Sequence, residues 1–210
     1  MRVGRGRARG ARHWQFSAAA PGTVALTFDD GPAPETTLAY LAILTEESVT
    51  ATFFVVGEQC ERHPDILRAI VEAGMTVGLH GWSHRALAGE RESLVADELE
   101  RTRAVVRAAG AEPTLWRPPY GSADRQLVRR AARLGLTTVM WNVDPRDWED
   151  PGAEAVAARV REGMDDGALV LLHDGPGRLG TIAALRDIID AARERGLVFA
   201  DLAEHPVATR

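Results

Sequence analysis

The sequence contains no lysine. All 25 basic residues are arginine, set against 30 acidic ones, for a formal net charge of -5 over 210 residues. Schiff-base catalysis and a phosphate-binding P-loop both need a lysine, so both are excluded. Cys60 is the only cysteine, which rules out an internal disulfide and a thiolate metal cluster. The acidic balance lacks the footprint of a nucleic-acid-binding domain, and no apolar run is long enough to span a membrane. An export signal is missing too. Arg2, Arg5, Arg7, Arg9 and Arg12 alternate with small residues, and the stretch from Trp14 to Ala20 is short and polar, where a signal peptide needs a continuous apolar run. No two of those arginines are adjacent, so a twin-arginine signal has no support. Residues 1–22 are expected to form a disordered basic arm, 23–204 one domain and 205–210 a tail. The missing signal favours a cytoplasmic location, with secretion the alternative if the start site is mis-assigned.

What the chain does contain, after residue 22, is a regular alternation. Residues 24–28, 51–55, 75–79, 114–116, 136–141, 168–172 and 197–200 read as short apolar strands. Residues 34–48, 64–73, 93–109, 124–134, 153–163 and 181–195 read as helices; Pro34 opens the first, and Gly74, Gly110, Gly135 and Gly196 stop four of them. Strands joined by helices make a parallel sheet, either open or closed. The polar side chains at the strand ends bear on that choice. Asp29 and Asp30 follow the first strand, His80 the third, Arg117 the fourth, Asp144 and Asp147 the fifth, and His173 the sixth. In a barrel several strands feed one face, whereas in an open sheet only the strands beside a switch point converge. The expected fold is therefore α/β, a distorted (β/α) barrel of about seven parallel strands with outer helices.

Five segments carry candidate chemistry. In Thr27-Phe28-Asp29-Asp30-Gly31-Pro32 two adjacent carboxylates repel each other. Such a segment is either a turn, which Asp, Gly and Pro favour, or a pair that divides labour, one acid holding a cation and one taking a proton. His80-Gly81-Trp82-Ser83-His84 places two histidines four apart, on one face of a helical turn, where they can share a metal. Two His and one carboxylate leave positions open for water and suit zinc and other first-row divalent ions. Such an ion lowers the pKa of bound water to about 7. The same set also describes non-haem iron oxygenases. Arg117-Pro118-Pro119-Tyr120-Gly121 is a stiff loop that can aim an arginine fork at a carboxylate. From Trp141 to Trp148, aromatics and acids mix as they do in carbohydrate grooves and in ordinary packing. Leu171-Leu172-His173-Asp174-Gly175-Pro176 delivers a histidine to the end of an apolar strand.

In order and spacing these segments resemble the motifs of the polysaccharide deacetylase family (carbohydrate esterase family 4, the NodB homology domain), across roughly residues 23–204. The resemblance implies a metal-dependent hydrolase that removes N-acetyl groups from N-acetylglucosamine-containing glycans, chito-oligosaccharide or peptidoglycan, and releases acetate. An O-deacetylase on acetylated xylan and a catalytically silent carbohydrate-binding protein are the alternatives. By the same resemblance, Asp30, His80 and His84 hold one divalent metal ion, zinc first, with cobalt, manganese or nickel as substitutes. Asp29 is the general base and Arg117 holds it in place. The backbone N–H of Tyr120 stabilises the oxyanion. His173 is the general acid, kept protonated by Asp147. Leu171 and Trp148 line the acetyl pocket. The implied partner is an acetylated oligo- or polysaccharide, not a nucleic acid. Two positions depart from the family's pattern: Gly81, where Ser or Thr is usual, and Leu79, where a polar residue is frequent. A hydroxyl there would brace the histidine loop.

Overall fold

The computed structural model describes residues 22–203. The expected basic arm, apart from Gly22, and the C-terminal tail lie outside the described residues. Seven parallel strands form the centre: β1 (Thr23–Asp29), β2 (Thr52–Val55), β3 (Thr76–Leu79), β4 (Leu115–Trp116), β5 (Thr137–Thr138), β6 (Ala168–His173) and β7 (Val198–Phe199). They run in the order β5-β4-β3-β2-β1-β6, and β7 pairs with the start of β1. The helices are α1 (Pro34–Glu46), α2 (Gly57–Arg62), α3 (Pro64–Glu72), α4 (Glu92–Ala108), α5 (Arg125–Arg133), α6 (Ala153–Gly163) and α7 (Leu179–Glu194). None is long and apolar enough to cross a membrane.

The chain leaving β5 joins the two edges of the sheet. Val139 N donates to Trp116 O of β4 (2.8 Å), and Val143 then bridges Val170 of β6, its carbonyl accepting from Leu171 N (2.9 Å). The result is a distorted barrel with helices around it. Strand alternation separates two cores. Val24, Leu26 and Phe28 of β1 pack with helix residues such as Tyr40, Leu44 and Ile188 in the larger cluster. Ala25 joins Phe54, Leu115, Val139, Leu169 and Leu202 in a smaller cluster to which no helix contributes, the barrel interior. Thr27 and Asp29 share the parity of Ala25. Thus the interior face of β1 presents Thr27 and Asp29 at its C-terminal end.

Two elements differ from expectation. The fifth strand, expected over 136–141, is a strand only over Thr137–Thr138. Beyond it the carbonyls of Val139 and Met140 accept from the Arg117 guanidinium, at 3.3 Å from Nε and 2.8 Å from Nη2. Helix α2 has no periodic signature in the sequence. Its first N–H groups, from Gly57 and Glu58, donate to Gly81 O and Trp82 O at 3.0 Å each, so a tertiary contact fixes where it begins.

Gly78 shows how tightly the interior is filled. A Cβ there would lie 2.5 Å from the Phe54 ring. Gly78→Ala is therefore expected to destabilise the fold by about 1–3 kcal/mol, the usual cost of overpacking. Urea unfolding reads this as a lower midpoint with unchanged slope; an unchanged midpoint would contradict the packing described.

Candidate active site

The interior parity of the strands continues into the residues that end them. Asp29 closes β1 and stands in register with His173, which closes β6. His80 N donates to Val55 O (2.8 Å), and Arg117 N donates to Leu79 O (2.8 Å), so each follows its strand without a break in the ladder. Arg117 is fully buried and Asp29 nearly so. The guanidinium Nη1 donates to Asp29 Oδ1 (2.7 Å) and to Thr27 Oγ1 (2.8 Å). Burial pulls the guanidinium below its ordinary pKa, and the Asp29 carboxylate opposes that pull. An arginine fork can serve four acceptors in this way; a lysine ammonium could not reproduce the geometry.

Asp30, His80 and His84 form a second group, with donor atoms all within 4.8 Å of one another. Asp30 Oδ1 lies 3.5 Å from His80 Nε2 and 3.0 Å from His84 Nε2. Zinc ligands at about 2.0–2.2 Å place tetrahedral neighbours roughly 3.3 Å apart, so these three atoms fit one ion. His80 Nδ1 lies 2.8 Å from Arg117 O. A carbonyl only accepts, so Nδ1 carries a proton, and Nε2 faces the group, where the loss of its own proton would free a lone pair for an ion. Burial works to raise the Asp30 carboxyl. Hydrogen bonds from His80 and His84, with the charges of His80 and His173, outweigh it and hold the group well below the ordinary carboxylate range.

The histidines do not lie on a helical turn, which corrects the sequence expectation. Residues 80–84 form an open loop with left-handed backbone at Gly81 (φ 80°) and His84 (φ 55°). Gly81 supplies that conformation without steric cost. Asp30 (φ 83°) and Tyr120 (φ 60°) are also left-handed. Residues in such sparsely populated conformations persist where surrounding contacts over-determine them, and they cluster at functional sites.

His173 Nδ1 lies 2.7 Å from Asp147 Oδ1, while Asp147 Oδ2 accepts from His173 N (2.9 Å) and Thr181 Oγ1 (3.0 Å). The carboxylate fixes the proton on Nδ1 and turns Nε2 outward. Burial works to lower the His173 pKa, but the hydrogen bond and charge of Asp147, with the charges of Asp29 and Asp30, raise it above the ordinary value. Asp29, Asp30, His80, His84, Tyr120, Trp148, Leu171 and His173 all line one cavity of about 530 Å³. Arg117 and Asp147 are buried among the residues that support it. Every sequence-predicted site residue is thus at this cavity or in direct contact with a residue that lines it.

Two buried acids at the site were not singled out from the sequence. Asp174 accepts from Gly31 N (2.9 Å) and Thr37 Oγ1 (2.6 Å), pinning the turn after Asp30. Its signal was its place directly after His173. Glu98 accepts from Trp82 N (2.7 Å), Ser83 N (2.9 Å) and Ser83 Oγ (2.6 Å), bracing the histidine loop. Its signal was an acid in the stripe of Val95, Leu99, Thr102 and Val106, on the buried face of α4.

Removing the Asp147 charge tests the His173 environment. The Asp147→Asn variant should lower the His173 pKa, so the imidazolium is lost at lower pH than in the parent protein. NMR titration of the His173 ring measures this, and an unmoved midpoint would contradict the assigned cause.

A family model described as polysaccharide deacetylase matches residues 17–139. A chitooligosaccharide deacetylase of a Bradyrhizobium strain is 38% identical over 188 residues, covering 83% of this chain and 86% of that protein. A peptidoglycan-N-acetylglucosamine deacetylase of Listeria monocytogenes is 36% identical over 182 residues, covering 86% of this chain but only 38% of that protein. Among solved structures, a peptidoglycan N-acetylglucosamine deacetylase superposes with a TM-score of 0.88 at 30% identity over 94% of both chains. A CE4-family pseudoenzyme from Bacillus anthracis superposes with a TM-score of 0.83 at 28% identity, over 88% of this chain and 65% of that one. With more than half its length matched by the family model and relatives this similar along most of it, the chain belongs to the polysaccharide deacetylase family.

Proposed function

We propose that the protein is a metal-dependent N-deacetylase acting on N-acetylglucosamine-containing glycans, chito-oligosaccharide or peptidoglycan. The observation that carries this reading is the pairing across one cavity of a carboxylate, Asp29, with a histidine, His173, whose pKa is raised, beside a three-ligand group. An amine leaves only when protonated, and a proton held at His173 Nε2 suits that need. The alternative O-deacetylation of xylan places less demand on such an acid. The pseudoenzyme neighbour shows that likeness of fold does not by itself bring activity. What supports activity here is that base, acid and all three ligands are present together in this chain.

The ion would be held by Asp30 Oδ1, His80 Nε2 and His84 Nε2; zinc suits this set, and cobalt, manganese or nickel are substitutes. When bound, a divalent metal supplies Lewis acidity, polarising the acetyl carbonyl and letting water lose a proton near neutral pH. Asp29 Oδ1 is committed to Arg117, which leaves Oδ2 to take the proton from water. The water oxygen bonds to the acetyl carbon, and the carbonyl oxygen gains negative charge. The Tyr120 N–H, on its left-handed turn at the cavity, donates to that oxygen. Leu171 and Trp148 enclose the acetyl methyl. The C–N bond breaks as His173 Nε2 gives its proton to the nitrogen, releasing a free amine and acetic acid, which loses its remaining proton to solvent as acetate. Asp29 then releases its proton to solvent and His173 takes one up, restoring both groups.

Purified protein with zinc should release acetate from chito-oligosaccharides or peptidoglycan fragments, in amounts matched by new amines, and should release less from acetylated xylan. No acetate from any acetylated sugar, with any of the four metals, would refute the proposal. Asp29→Asn should reduce kcat by roughly 10²–10⁴-fold, the usual loss of a general base, while still binding the metal. Asp30→Asn should instead weaken metal binding itself, read by equilibrium dialysis. Equal loss of metal in both variants would contradict the division of roles.

A further inference from the structure

Glu98 takes no part in the chemistry above, yet it is 4% exposed on the apolar face of α4. A carboxylate in such a place is unfavourable unless its oxygens are satisfied. All three of its donors belong to the segment between His80 and His84: the N–H groups of Trp82 and Ser83 on Oε2, and the Ser83 hydroxyl on Oε1. From the other side, the carbonyls of the same segment are taken by the first N–H groups of α2. The Trp82 ring is wedged between these supports. A Cβ on Gly57 would fall 2.4 Å from it, and the Arg101 guanidinium lies 3.9 Å over its centroid.

We propose that Glu98 is a positioning residue for the metal site, setting the place of His84 relative to His80. This rests on the reading of Asp30, His80 and His84 as metal ligands. His80 has supports of its own: the bond of its N–H to Val55 O and that of its Nδ1 to Arg117 O. His84 lies beyond a left-handed glycine in a loop without a strand or helix ladder, and is 28% exposed at its side chain. Its backbone path is set by the two N–H groups on Glu98. Without that acceptor two N–H groups lose their partner, and the loop is released at His84 rather than at His80. Residues that orient metal ligands in this way typically change metal affinity by 10–100-fold when removed.

The test compares wild-type protein with Glu98→Ala, stripped of metal and titrated with zinc against a chromophoric chelator. Thermal melts of the metal-free forms run alongside. Zinc affinity is expected to fall by about 10–100-fold in a variant that is still folded. The visible spectrum of the cobalt-loaded variant should shift toward that of His84→Ala. A folded Glu98→Ala with wild-type affinity and an unshifted cobalt spectrum overturns the proposal, even if its metal-free melting temperature drops, because that is the result of a merely structural role. Should Glu98→Ala fail to fold, Glu98→Asp carries the same test. It keeps the charge but withdraws the carboxylate by one methylene, so reduced affinity supports the proposal and wild-type affinity overturns it. Wild-type protein that takes up none of zinc, cobalt, manganese or nickel overturns the metal reading itself and the proposal with it. Loss confined to the variants separates the two.

Discussion

The buried guanidinium of Arg117 holds the C-terminal end of the barrel together. It donates to Thr27 and Asp29 of β1 and to the carbonyls of Val139 and Met140 after β5. Its carbon lies 4.2 Å from the centre of the Phe54 ring on β2. The residue's own carbonyl fixes the His80 ring after β3. One side chain thus ends a strand, aims a carboxylate and, through its backbone, sets a histidine tautomer. Removing one partner of a buried pair of this kind typically costs about 3–5 kcal/mol, because the other charge is left uncompensated. The absence of lysine from the chain has no bearing on this, since only an arginine could serve so many acceptors at once.

That anchor explains how two adjacent carboxylates can do different work. Asp29 stays on the strand's interior face, with one oxygen on the guanidinium. Asp30 leaves the strand with left-handed backbone and meets the two histidines instead. Asp174 holds the next peptide through Gly31 N, and Asp30 Oδ1 meets His84 Nε2 at 3.0 Å, while His80 Nε2 stands between the acids, 3.7 Å from Asp29 Oδ2 and 3.5 Å from Asp30 Oδ1. The repulsion expected of an acidic pair is eased by the groups around each, the Arg117 guanidinium for Asp29 and the two histidines for Asp30.

Much of this is legible in the sequence. The alternation of apolar runs identified all seven strands, and the fact that chemically capable residues follow five of them pointed to a barrel rather than an open sheet. The losses came where tertiary contacts overruled local pattern. A four-residue spacing of histidines reads as a helical turn, but Gly81 and the acceptor Glu98 favour an open loop. Residues 139–141 read as strand, but Arg117 takes the carbonyls of Val139 and Met140. Helix α2 has no pattern of its own and is set by the loop it caps. Glu98 was visible as an acid in an apolar stripe, an inconsistency that usually marks a specific partner.

The proposed division of work between the two acids depends on the separation of Asp29 from the metal. A crystal structure of the zinc-loaded protein, with zinc located by anomalous scattering, measures it directly. Zinc is expected on Asp30, His80 and His84, with Asp29 Oδ1 still accepting from Arg117. Zinc coordinated by Asp29 in place of Asp30, or an Arg117 turned away from Asp29, would contradict it.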